Sequence, residues 1–163
     1  MQNAGQPSQW HTAQWGMWGW FETILKLIGV VAGVLAFAAS NAASPLAIGD
    51  NPHLAALILL ALLALGALAQ VGIRFTQRET ISFAFAILNL VGHLALLVAV
   101  LRVPDQPTLA MVFGGCYALG QLVKLQFLRA TGYTEGGANT TAMLGVAALM
   151  AILYALLAVL MLF

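Results

Sequence analysis

Long apolar runs separated by short polar segments, rather than strict alternation, organise this chain. Five charge-poor stretches, 23–43, 53–73, 81–101, 109–127 and 142–163, lie between segments holding all five prolines (Pro7, Pro45, Pro52, Pro104 and Pro107) and almost every charge. About 20 residues at about 1.5 Å rise each cross a hydrocarbon core of about 30 Å, so each stretch has the length of a transmembrane helix. Barrel strands would alternate over about ten residues, and these runs are continuously apolar and longer. The pattern predicts an all-α fold: an integral membrane bundle of five transmembrane helices with short connectors, ending inside the last run without a C-terminal tail.

Ahead of the first run, residues 1–22 hold all four tryptophans, Trp10, Trp15, Trp18 and Trp20. The first nineteen residues carry no Lys or Arg and no apolar core, which does not fit a secretory signal. Indole rings favour the headgroup level, so this segment reads as a short interfacial element; an aromatic docking surface for a partner subunit is the alternative. Either way, the chain divides into an interfacial segment at 1–22 and a transmembrane domain at 23–163.

Composition fits lipid as the solvent. Of the 163 residues 62% are hydrophobic and 7% charged, against about 25% charged in soluble domains. A net charge of +1 offers no footprint for nucleic acid. One cysteine, Cys116, allows no internal disulfide and no multi-cysteine metal centre. The cations are asymmetric. With five spans, Lys26, Arg74, Arg78, Lys124 and Arg129 fall toward one face and Arg102 toward the other, which predicts a cytoplasmic N-terminus and a C-terminus on the opposite side. Lys26 and Lys124, a turn or so inside their helices, are expected to snorkel to the cytoplasmic interface.

Small residues recur at helical spacing: Gly29 and Gly33 in the first run, Ala110, Gly114 and Ala118 in the fourth, Ala147, Ala151 and Ala155 in the fifth. Such spacing lets helix backbones approach closely, so Gly29, Gly33, Gly114 and Ala118 are packing positions, against this bundle or another subunit.

Candidate chemistry gathers on two helices. Ser82, Ala86, Asn89 and His93 share one face of the third, and Gly114, Tyr117, Gln121 and Lys124 one face of the fourth. A short connector makes the two helices antiparallel neighbours. Matching their ends sets His93 level with Gly115–Tyr117, and Asn89 level with Leu119–Gln121. One reading is a structural zipper, Asn89 to Gln121 and His93 to Tyr117 or a backbone carbonyl. A second makes His93 the axial ligand of a haem or chlorophyll-type pigment, with room for the macrocycle at Gly114 and Gly115. A third is a path for protons or a substrate. The charge pattern places no Asp or Glu inside a span, which argues against a pump or coupled carrier.

No nucleophile elbow, HExxH, phosphate loop or dinucleotide fingerprint is present, and no metal site is expected. The functional expectation is a non-catalytic accessory or structural subunit of a larger membrane complex, with lipid and other membrane subunits as partners. An electron-transfer or photosynthetic complex is the natural host if His93 binds a tetrapyrrole. The alternative is a stand-alone binder or passive conduit for a small apolar molecule, using Asn89, His93, Tyr117 and Gln121.

Overall fold

The structure, a computed structural model, describes Trp10 and residues 16–39, 54–102, 107–131 and 140–162. Five α-helices account for nearly all of them: α1 Met17–Ala39, α2 Leu54–Gln77, α3 Thr80–Arg102, α4 Pro107–Thr131 and α5 Thr140–Leu160. All five are long and apolar enough to cross a membrane. Their outward faces carry exposed Ile, Leu and Val from end to end, such as Ile24, Val31, Leu62, Leu94, Leu122 and Ile152, which suits a surface bathed in hydrocarbon.

Four helices start earlier than the charge pattern implies, α1 by six residues and α3, α4 and α5 by one or two. α1 begins at Met17, so Trp18 and Trp20 stand on its exposed first turn. Gly16 caps it, its carbonyl receiving the amides of Gly19 and Trp20 at 3.1 and 3.3 Å. α4 begins at Pro107, whose fixed φ and missing N–H suit a first helical position. Trp15 and the segments 40–53, 103–106 and 132–139 lie outside the described residues.

α2 and α3 form a tight hairpin. Arg78, at φ 58°, is the one non-glycine residue with positive φ among the described residues. The amides of Arg78 and Glu79 return to the carbonyls of Phe75 and Arg74 at 3.2 and 3.4 Å, closing α2 with a Schellman motif. The carbonyl of Glu79 then accepts the Phe83 amide at 2.8 Å and opens α3. Trp10 packs over this corner against Phe75 and Phe83, at ring separations of 5.6 and 5.3 Å, with the Arg78 guanidinium 5.5 Å from its ring.

The helices do not pack in chain order. α1 lies between α3 and α4, α2 flanks α3, and α5 flanks α4. A thinner contact between α2 and α5 closes the ring α1–α3–α2–α5–α4. The expectation that α3 and α4 pack as antiparallel neighbours is therefore corrected: they barely touch except through side chains reaching the centre. α1 stands between them because it offers the small residues that α4 needs. A Cβ at Gly29 would meet the Tyr117 ring at 3.1 Å and Cys116 Cβ at 3.7 Å, and one at Gly33 would come within 2.7 Å of Phe113. These two glycines thus seat aromatic rings of α4 rather than a second backbone. Gly114 does serve close backbone approach: a Cβ there would stand 3.3 Å from α5 backbone atoms of Tyr154 and Ala158. Ala118 packs at the edge of the core.

Candidate functional site: a layered polar interior

The centre of the ring is filled in three layers along its axis. At the end bearing the α2–α3 turn, the layer is charged and amide-rich. α1 contributes Glu22 and Lys26, both 2% exposed, joined at 2.9 Å one helical turn apart. The Lys26 ammonium stands 4.1 Å above the Phe85 ring and 5.9 Å from that of Tyr117. α2 contributes Arg74, which donates to Gln77 Oε1 at 3.0 Å and reaches Glu79 Oε2 at 3.5 Å. Ser82, Asn89 and Gln121 are buried beside them.

Two expectations change here. Lys26 does not snorkel to the interface, and Glu22 does not mark the end of a span. Because Glu22 and Lys26 are spaced i, i+4, they neutralise one another and enter the bundle as a pair. Reading each charge as a boundary hides that possibility. α1 and α4 are the least apolar of the five spans, as befits the helices that carry Glu22, Lys26, Gln121 and Lys124 into the interior.

The middle layer is aromatic. His93, Tyr117 and Tyr154 are fully buried, and their ring centroids lie 4.9 to 5.1 Å apart pairwise. Phe113 continues the stack, 5.0 Å from Tyr117. His93 Nδ1 lies 2.6 Å from the Asn89 backbone carbonyl and so donates to it. Nε2 is then an acceptor, and the Tyr154 hydroxyl donates to it. Tyr117 turns its hydroxyl onto the bare Cα of Gly92, where it is buried without a hydrogen-bond partner.

The third layer is aliphatic. Leu60, Leu63, Leu96, Val100, Leu157 and Met161 form a core that, with Ala56 and Ala110, fills the rest of the ring. His93 is thirteen residues into α3 and Tyr154 fourteen into α5, so the aromatic layer lies about 20 Å from the polar end of the bundle.

The depth matching of α3 and α4 thus brings the His93 and Tyr117 rings into contact, and of the two bonding partners expected for His93 the backbone carbonyl is the one found, while the hydroxyl partner is Tyr154 rather than Tyr117. His93 bonds to Tyr154 and to its own helix, and Asn89 and Gln121 face a shared space without a hydrogen bond joining them. Tyr154 is the only side chain between Thr141 and Phe163 with a hydroxyl, amide or charge, on the face that also holds Ala147 and Ala151; that isolation is the signal that could have singled it out.

A tetrapyrrole at His93 does not fit this arrangement. Both ring nitrogens are engaged, tyrosine rings flank the imidazole, and the space at Gly114 is taken by α5. An axial bond would require expelling the Tyr154 hydroxyl.

Open space lies in the polar layer instead. A small cavity of about 40 Å³ is lined by Lys26, Arg74 and Lys124 with Gln70, Ser82, Asn89 and Gln121, and by Phe85, Ala86, Val146 and Met150. A second crevice shares Gln70, Arg74, Gln121, Lys124 and Val146 and runs outward between α2 and α5 past Gln77 and Met143. The two share those five residues beside the α2–α5 contact, the thinnest of the ring.

Fold and site define an all-helical bundle of five membrane-length helices with a polar pocket inside one half and an aromatic and aliphatic seal in the other. Comparison with models of protein families, with curated proteins and with solved structures finds no match.

Proposed function

We propose that this protein is a multi-pass membrane binder that takes a small ligand into the polar layer of its bundle. The observation that carries the reading is the pocket among Lys26, Arg74, Lys124, Asn89 and Gln121, built from groups that are costly to hold in a bilayer unless they have a purpose. On the cation asymmetry, the pocket end faces the cytoplasm and the N-terminus lies on that side. A passive conduit is less favoured than a binder. Beyond His93, Tyr117 and Tyr154 the axis is filled by leucine, phenylalanine and valine, with no buried polar side chain there among the described residues.

The test is native mass spectrometry of the chain extracted from its source membrane in mild detergent. A retained non-protein mass, lost from Asn89→Leu, supports the reading; a bare chain in every preparation overturns it. The accessory-subunit reading has its own support. Apolar grooves run along the α1–α3 seam, one lined by Trp20, Ile81, Ala84 and Leu88, the other by Val34, Val91, Leu94 and Val98. Stoichiometric co-purifying proteins in the same extract would favour it.

A further inference from the structure

Resting on the binder reading, we infer that the pocket is an oxyanion site: it receives a carboxylate or phosphate group. Three cations line it, and among the described residues no carboxylate does. Lys26 and Arg74 have their charges met by Glu22 and Glu79, which are not themselves lining residues. Lys124 is half-buried on α4, and among the described residues no carboxylate pairs with it. The lining therefore carries one positive charge in excess, in a setting where low dielectric makes an unmatched charge expensive. A singly charged anion would match it.

The neutral part of the lining agrees. Ser82 Oγ lacks a hydrogen-bond partner in a residue only 2% exposed, and Asn89 and Gln121 bring amide groups to the same space. Hydroxyl and amide N–H groups donate to oxyanions, and hydrogen bonds to a charged acceptor are the stronger kind. The Asn89 Oδ1 atom, also unpartnered, suits the acidic proton of a monoprotonated phosphate or a bound water.

The crevice between α2 and α5 says how the anion could be carried. It leads from Lys124 past Ile73, Met143 and Val146 toward the lipid face. An amphiphile can set its headgroup on Lys124 and keep its chain against these apolar side chains. A soluble oxyanion from the adjacent aqueous face would meet the same groups.

Equilibrium binding to the full chain in zwitterionic-lipid nanodiscs separates these cases, with hexadecanoate, hexadecanol and inorganic phosphate as probes and Lys124→Gln beside the parent chain. The expected result is saturable hexadecanoate binding, roughly tenfold weaker binding of hexadecanol, and loss of that discrimination in Lys124→Gln. Saturable phosphate binding that Lys124→Gln weakens, without hexadecanoate binding, upholds the oxyanion site and assigns it a soluble source. Equal binding of hexadecanoate and hexadecanol, insensitive to Lys124→Gln, overturns the oxyanion site while the pocket remains a binder. If the chain fails to bind any probe, the inference falls; the mass-spectrometric adduct then decides the binder reading separately. Lys124 is half-buried and its charge is not part of an internal carboxylate pair among the described residues, so the variant is expected to fold; an unchanged thermal transition of Lys124→Gln checks this.

Discussion

Gly92 and Tyr117 show how narrowly the interior is fitted. The Tyr117 hydroxyl occupies the place a Cβ at Gly92 would take, and the ring is held by Phe113, Tyr154 and His93. Gly92→Ala is expected to cost about 1–3 kcal/mol through overpacking, read as a lower unfolding temperature in detergent. Tyr154→Phe removes only the hydroxyl that donates to His93 Nε2. It should cost about 0.6 kcal/mol, the average for interhelical hydrogen bonds in membranes, and at most about 1.7; SDS-driven unfolding measures this. A larger share is at stake in the buried pair of α1. Glu22→Ala removes the carboxylate paired with the Lys26 ammonium and should destabilise by about 3–5 kcal/mol, whereas the double change Glu22→Met with Lys26→Met should recover most of that loss. Asn89, His93, Tyr117 and Gln121 are legible as an interior set because apolar helices leave so few polar residues to choose among. Glu22 is not, since a charge read alone looks like a boundary and only its spacing to Lys26 reveals a pair.

At the scale of elements, the number and kind of helices follow from the length of the apolar runs, and all five form. The start of α1 and the ends of α2 and α4 run further than the runs suggest because interfacial residues such as Trp18, Gln77 and Arg129 continue a helix as readily as apolar ones. The sequence spacing of Gly29 and Gly33 is equally compatible with a backbone contact and with a ring seat; the partner decides, and here it presents Phe113 and Tyr117. The α2–α3 corner offers a test of competing local terms. Arg78 adopts a left-handed conformation that costs an L-residue roughly 1–2 kcal/mol. Its guanidinium over the rings of Trp10 and Phe75 returns about 0.5–1 kcal/mol. Arg78→Gly should therefore be neutral to stabilising by up to about 1.5 kcal/mol, and more stabilising when made in a Trp10→Ala background, as a double-mutant cycle would show.

The whole molecule is a ring of helices whose order the sequence does not reveal. Short connectors suggest sequential neighbours, and that holds for α2–α3 and α4–α5, but α1 separates α3 from α4. Apolar helix faces resemble one another in sequence, so what decides the neighbours is the fit of rings into glycine seats, a property of pairs rather than of single helices. The result is a bundle polar at one end and sealed at the other, and the seal is what distinguishes a pocket from a passage. Site-directed thiol labelling tests that division most directly. In a Cys116→Ala background, Gln70→Cys in the pocket and Leu96→Cys in the aliphatic layer are exposed to a membrane-impermeant thiol reagent from each side of oriented vesicles. A pocket open at one end and sealed at the other predicts labelling of Gln70→Cys from one side alone and of Leu96→Cys from neither. Labelling of Leu96→Cys, or of Gln70→Cys from both sides, would contradict it.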